Sequence, residues 1–199
     1  MKFLAFVDFH HDPSDFISIK EKIKKYDPEF LICAGDFTWF GEKTEEILES
    51  FILFDKPIYI IHGNHEEKKE VKEICEKYTN LIFAHNKIIY IKDTLFVFYG
   101  GGGFSEKEPN FNKLIKKHKE EIKNSKKIVL ITHAPPKNTI LDKLSEDYHV
   151  GVIDYKRFIK NYSPNLAISG HIHESYKKQE KYKETLLINP GGDGEIFEI

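Results

Sequence analysis

Two histidines one residue apart, His171 and His173, follow a short apolar run that stops at Gly170. If the backbone stays extended, residues i and i+2 face the same side, so the pair would offer two imidazoles to one point. Imidazole is the commonest metal ligand, but two are too few for a site. Four other apolar runs end in residues of the same kind: Asp8-Phe9-His10, Gly35-Asp36, Gly63-Asn64-His65-Glu66 and Thr132-His133. Together the five segments offer seven candidate metal ligands: Asp8, His10, Asp36, Asn64, His133, His171 and His173. Two carboxylates, an amide oxygen and four imidazoles are too many for one tetrahedral zinc. They suit two ions that share a carboxylate. Mixed nitrogen and oxygen donors without thiolate favour manganese, iron, zinc, cobalt or nickel over calcium or copper(I). Two such ions can hold a bridging hydroxide and stabilise an in-line displacement at phosphorus. Glycines at 35, 63 and 170 would let the chain turn sharply where a ligand follows.

Bringing these residues together needs five strands that end at one place, and the apolar patterning supplies them. Residues 2–7, 30–34, 57–61, 127–131 and 166–169 read as buried strands, each followed by its cluster. In open α/β sheets, sites form outside the carboxyl ends of strands. Between the strands, helical spacing recurs. Asp12 and Pro13 suit an N-cap and first helical position, Phe16, Ile19, Ile23 and Tyr26 continue the pattern, and Pro28 ends it. Further helices are expected over 43–54, through Val71, Ile74, Cys75 and Tyr78, along one long segment marked by Phe111, Leu114, Ile115, His118 and Ile122, and through Tyr155, Phe158, Ile159 and Tyr162. Short strands are expected at 81–84, 87–92 and 94–99, a partly helical loop at 138–153, a hairpin over 174–190 and a last strand at 195–199. Alternating strands and helices predict an α/β layered fold, with 1–199 as one domain.

The composition narrows the classes further. The chain of 199 residues carries a formal net charge of −2, so it has no bulk attraction to nucleic acid or acidic membranes. The lysine-rich stretches at 116–127 and 177–183 read as solvated faces. The N-terminal apolar run is too short for a signal-peptide core, and no segment approaches a membrane span. Cys33 and Cys75 fall in apolar patterns and read as buried thiols rather than a disulfide framework. A reducing cytoplasm is the expected location.

The ordered set D-x-H, G-D, G-N-H-E, H followed by A-P, and G-H-x-H resembles that of the calcineurin-like metallophosphoesterases, from Asp8 to His173. The resemblance implies two β-sheets packed face to face with helices outside, as in the small single-domain prokaryotic members. It implies that Asp8, His10 and His173 hold one metal, that Asn64, His133 and His171 hold the other, and that Asp36 bridges them. His65 would face the scissile phosphate and assist the leaving oxygen, and Glu66 would orient that imidazole. After Gly35-Asp36 the chain reads Phe37-Thr38-Trp39-Phe40-Gly41. The Asp-Arg-Gly that protein serine/threonine phosphatases carry near here, with its phosphate-contacting arginine, is absent, which argues against that role.

The expectation is therefore a dinuclear metal-dependent phosphoesterase, a phosphodiesterase first, with a phosphate-ester substrate that is small or nucleotide-like. A hydroxide bridging the two ions would attack phosphorus, with Asp36 and His65 as the catalytic residues. The cofactors expected are two divalent transition-metal ions, manganese first, with nickel, cobalt, zinc or iron as alternatives. A phosphomonoesterase and a non-catalytic scaffold of the same fold remain as alternatives. Around the centre, Trp39 is expected to wall the pocket, His11 to support His10, and His149, in a loop with Gly151, to reach substrate. His118 reads as packed on a helix face, and His62 and His85 as turn or strand-end residues.

Overall fold

The computed structural model describes residues 1–146 and 148–199. Its strands are β1 (Lys2–Phe6), β2 (Phe30–Cys33), β3 (Ile58–Ile60), β4 (Leu81–Phe83), β5 (Lys87–Ile91), β6 (Thr94–Tyr99), β7 (Ile128–Thr132), β8 (Lys143–Ser145), β9 (Tyr148–His149), β10 (Leu166–Ile168), β11 (Gln179–Tyr182), β12 (Thr185–Ile188) and β13 (Glu195–Glu198). The helices are α1 (Pro13–Tyr26), α2 (Thr44–Ile52), α3 (Lys68–Cys75), α4 (Pro109–Lys117), α5 (Lys119–Asn124) and α6 (Ile153–Tyr162).

Two mixed sheets face each other. One runs β13-β1-β2-β3-β4, the other β11-β12-β10-β7-β6-β5. Within the first, β1 to β4 are parallel and β13 pairs antiparallel with β1. Within the second, β6, β7, β10 and β12 are parallel, with β5 and β11 antiparallel at the two edges. The period-2 alternation of strands sorts the continuous apolar runs into two layers. Phe3, Ala5 and Val7 meet Phe96, Phe98, Val129 and Ile131 between the sheets. Leu4 and Phe6 turn outward onto Ile19 of α1, Phe51 of α2 and Val71 of α3. Across the second sheet, Leu95, Val97 and Leu130 face Phe111 of α4, Ile122 of α5 and Phe158 of α6. Strands buried on both faces show no polar alternation, which is why their sequences are unbroken apolar runs.

Local chemistry sets the helix ends. Asp12 accepts from the Ser14 N–H at 2.7 Å and Pro13 opens α1, while Asp27 closes it in the left-handed region at φ 46°. The expected single long helix is broken at His118, whose φ of −107° and ψ of 20° leave helical geometry. The chain restarts as α5 with Glu120 and Glu121 in its first turn, where acidic side chains suit a helix start. His118 is thus a half-buried joint between two helices, and its Nδ1 lies 2.7 Å from Glu121. The expected partly helical loop at 138–153 is a 3₁₀ turn at Ile140–Asp142 followed by the paired strands β8 and β9. Asp147 of that loop lies outside the described residues. Cys33 and Cys75 are free and buried, and burial pushes the Cys75 thiol up to about 12. Among the described residues no helix is long and apolar enough to cross a membrane.

Phe96 ties the sheets together, edge-on to Phe3 at 5.7 Å and to Phe30 at 5.9 Å. Phe96→Ala should lower the unfolding free energy by about 3–5 kcal/mol, read from the urea midpoint at unchanged slope. A loss below about 1 kcal/mol would show that the inter-sheet layer relaxes around the cavity.

Candidate metal centre

Parallel strands put their carboxyl ends on one edge of each sheet, and face-to-face packing brings the two edges together. Asp8 and His10 follow β1, Asp36 follows β2, and Asn64, His65 and Glu66 follow β3, all from the first sheet. His133 follows β7 and His171 follows β10, from the second. Hydrogen bonds cross between them. His133 Nδ1 donates to the Ala34 carbonyl at 3.1 Å, and the His171 N–H donates to the Asp8 carboxylate, 2.9 Å to Oδ2.

The donors fall into two groups. Ligating atoms of Asp8, His10 and His173 lie within 4.8 Å of one another, and so do those of Asp36, His133 and His171. His10 Nε2 and His173 Nε2 face each other at 3.1 Å. His133 Nε2 lies 3.3 Å from Asp36 Oδ2 and 2.9 Å from Asn64 Oδ1, which draws Asn64 to the second group. A carbonyl can only accept, so the 2.8 Å contact to the Thr38 oxygen places a proton on His10 Nδ1 and leaves Nε2 as the coordinating nitrogen. His171 Nε2 is buried with no hydrogen-bond partner. A buried nitrogen left unpaired costs free energy unless something coordinates it. Converging donors, tautomers suited to coordination and an orphaned nitrogen fit two divalent ions.

The electrostatics agree. Burial pushes Asp8 up to about 7. Burial also opposes ionisation of Asp36, but His133 and His65 together hold it well below the usual carboxylate range. Burial disfavours charge on His133, yet Asp36 and Asp8 raise it to about 9. Burial, reinforced by the charge on His133, lowers His171 to about 4. Asp36 and Asp8 thus favour the charged form of His133, while burial favours the neutral form of His171, suited to coordination.

The family model for calcineurin-like phosphoesterase matches residues 1–175. The chain belongs to that family. It is 32% identical over 176 residues to an uncharacterised protein of Methanocaldococcus jannaschii, taking in 81% of this chain and 77% of the relative. It is 27% identical over 164 residues to a probable glycerophosphodiester phosphodiesterase of Arcobacter nitrofigilis, taking in 73% of this chain and 57% of that one. A solved Thermus thermophilus structure shares the fold at a TM-score of 0.72 and 14% identity, over 96% of this chain and 88% of that one.

In this metallophosphoesterase, several sequence expectations change once side chains are placed. The premise of an extended backbone through His171 and His173 does not hold. His171 has a φ of 69°, and His173 opens a 3₁₀ turn. The two imidazoles therefore join different donor groups and do not meet at one point. Sharp turning explains Gly35, at φ 94°, but not the other two glycines. A Cβ on Gly63 would stand 1.9 Å from Asp36 Oδ1, and one on Gly170 would stand 2.6 Å from Asp8 Oδ2. Those glycines make room for the two carboxylates.

Glu66 does not orient His65. Its Oε2 accepts from the N–H groups of Asp36 and Gly63, and its Oε1 accepts from the Thr38 N–H and hydroxyl, at 2.8–3.0 Å. Four donors saturate the carboxylate and lock the β2 loop to the β3 loop. His65 is placed instead by the Phe40 N–H, which donates to Nδ1 at 3.1 Å, and the His65 N–H donates to Asp36 Oδ1 at 2.9 Å. His11 is not brought into the donor groups: it is exposed and lines a hollow with Phe16 and Leu53. His149 is held by Asp142 at 2.7 Å and lines a different hollow that also includes Phe104. Trp39 is stacked on His10, 3.9 Å between ring centroids.

Phe104 and Tyr176 were not expected here, whereas Phe40, which directly follows Trp39, has the position of a core or pocket-wall residue. Phe40 stacks on His65 at 4.4 Å, Phe104 stands edge-on to His171 at 4.6 Å, and Tyr176 sits 5.0 Å from the His173 ring. A phenylalanine directly after residues 100–103, four glycine-or-turn positions outside any apolar pattern, was the available signal for Phe104.

Glu66→Gln should replace one accepting oxygen by an amide that cannot accept. Its stability should fall by about 1.5–3 kcal/mol, the range for hydrogen bonds to a charged group. If Glu66 served only the His65 ring, the melting temperature would stay at the wild-type value.

Proposed function

We propose that this chain is a dinuclear metal-dependent phosphodiesterase acting on a small or nucleotide-like phosphate ester. The observation that carries the reading is the presence of two donor groups, Asp8–His10–His173 and Asp36–His133–His171, joined by the hydrogen bond from His171 to Asp8, with His65 held beside Asp36. In this reading Asp8, His10 and His173 hold one ion, and Asn64, His133 and His171 hold the other. Asp36, its Oδ2 3.3 Å from His133 Nε2, belongs to the second group and in this reading would be shared with the first. Two divalent ions so held supply Lewis acidity and an activated water for in-line displacement at phosphorus. Manganese is the metal proposed, with nickel, cobalt, zinc or iron as alternatives.

His65 acts on the leaving group. Because Nδ1 accepts from Phe40, the proton of the neutral ring sits on Nε2, 3.8 Å from Asp36 Oδ2. As the phosphorus–oxygen bond breaks, Nε2–H donates a hydrogen bond to the departing oxygen, which takes its proton from water. Asn64 and His173 are exposed, so the centre opens to solvent where an ester can enter. A diester is favoured over a monoester because no guanidinium is at hand for a dianion. Arg157, the only arginine, is on α6 and pairs with Asp154 at 2.9 Å. The name of the Arcobacter nitrofigilis relative, a diester hydrolase, supports the same choice. We also take 1–199 as one domain, since β13 closes on β1, and two buried free thiols suit a reducing cytoplasm.

Protein reconstituted with Mn²⁺ should bind two ions per chain, and Asp36→Asn should weaken both. Saturation at a single ion in the wild type would overturn the dinuclear reading. His65→Asn should keep both ions and the wild-type melting temperature while turnover falls by about 10²–10⁴-fold. The loss should be smaller for a p-nitrophenyl ester than for an alkyl ester, whose more basic leaving oxygen needs the hydrogen bond more. Equal losses on the two esters, or loss of an ion, would remove His65 from that role. Hydrolysis of p-nitrophenyl phosphate far faster than of bis-(p-nitrophenyl) phosphate would turn the assignment to a monoesterase, and no turnover of either would favour a scaffold.

A further inference from the structure

We infer that the hollow beyond Phe104 is a subsite for a planar ring on the ester arm that stays attached to phosphorus, so that the substrates are diesters of nucleoside-like alcohols. The inference rests on the phosphodiesterase reading and names the substrate class.

Phe104 is 69% exposed and Tyr148 is 61% exposed, a poor arrangement for two aromatic side chains unless something covers them. The backbone is shaped to present Phe104. Gly101, Gly102 and Gly103 before it all have positive φ, at 77°, 99° and 47°, which side chains on that stretch would resist. A Cβ on Gly103 would stand 3.3 Å from Asn64 Cβ, so the loop lies against the residue drawn to the second donor group. Phe104 therefore stands at the candidate centre and at the mouth of the hollow at once, its ring 4.6 Å from that of His171.

The hollow has a volume of about 580 Å³, and Leu144, Tyr148 and Val150 line it with Phe104. That size falls within the range of about 300–1,000 Å³ typical of small-molecule sites. Its polar members are His149, held by Asp142, and the Lys137–Glu106 ion pair at 2.8 Å. Aromatic faces with a few fixed polar groups suit a heteroatom-bearing ring better than an aliphatic chain. The leaving arm is assigned elsewhere, because His65, which hydrogen-bonds its oxygen, carries Phe40 and not Phe104. A ring at Phe104 must then belong to the arm that remains on the phosphate.

The test holds the leaving group fixed. Mn²⁺-loaded protein is assayed on thymidine 5′-(p-nitrophenyl phosphate), methyl p-nitrophenyl phosphate and octyl p-nitrophenyl phosphate, with metal content measured for every variant. In kcat/KM the wild type should favour the thymidine ester over the methyl ester by roughly tenfold or more, the scale of base–aromatic stacking. Phe104→Ala and Tyr148→Ala should each shrink that ratio, and Phe104→Tyr should restore it. Thymidine 5′-monophosphate should bind the wild type at least about fivefold more tightly than either alanine variant, by calorimetry. A ratio near one in the wild type, an octyl ester as good as the thymidine ester, or variants that slow all three esters equally would overturn the subsite. The last outcome would mark Phe104 as a shield over His171. If no diester turns over, the diesterase reading falls, and the calorimetric comparison still decides whether the hollow takes a ring.

Discussion

Three carboxylates buried close together govern this structure. Asp8, Asp36 and Glu66 all lie at the junction of the sheets with almost no exposure. A buried anion without compensation is among the most expensive things a fold can contain. Each of the three is compensated differently. Glu66 takes four hydrogen bonds from two loops, Asp8 takes the His171 amide from the opposite sheet, and Asp36 has the His65 amide and the His133 imidazole. The compensation also assembles the centre, since every one of those donors belongs to a segment that carries a candidate ligand or its neighbour. Stability and site geometry share the same interactions here.

The backbone shows the same concentration. Asp8, His10, Asp36 and His171 all occupy the left-handed region, at φ between 44° and 69°. Such a conformation costs of order 1–3 kcal/mol for a residue with a side chain and persists only where its surroundings determine it. Four of the candidate ligands are held this way directly after regular strands. The strain is tolerated because the strands themselves are rigid: β1 and β2 are packed on both faces, and β7 and β10 are buried throughout. A rigid layer with strained tips fixes donor positions more tightly than flexible loops would.

Around the charged interior runs an aromatic border. Trp39, Phe40, Phe104 and Tyr176 each rest on a different histidine of the centre. Rings in such places limit the directions from which water and substrate approach, and lower the local dielectric in which the imidazoles work. They also link the loops after β1, β2, β3, β6 and β10 through side-chain contact. The border therefore packs against the candidate ligands and stands on the way to them.

Much of this was legible in the chain alone. Donor types, their order and their position after apolar runs could be read directly, because strand burial and ligand chemistry are local properties of sequence. So could the layered α/β fold, since unbroken apolar strands alternating with amphipathic helices have few ways to bury both faces. What the apolar patterning left open was how distant segments meet, which only the family resemblance anticipated for the donor groups. His10 and His173 lie 163 residues apart and face each other at 3.1 Å, an approach set by the packing of two sheets and by no local pattern. His171 and His173, adjacent in one motif, were divided between two donor groups by a single left-handed residue. Glu66 was assigned to its sequence neighbour His65, whereas three of its four hydrogen bonds come from Asp36 and Thr38, about thirty residues away. Local periodicity decides which residues can meet water or core; only tertiary packing, which closes long loops between rigid strand ends, decides which of them meet each other.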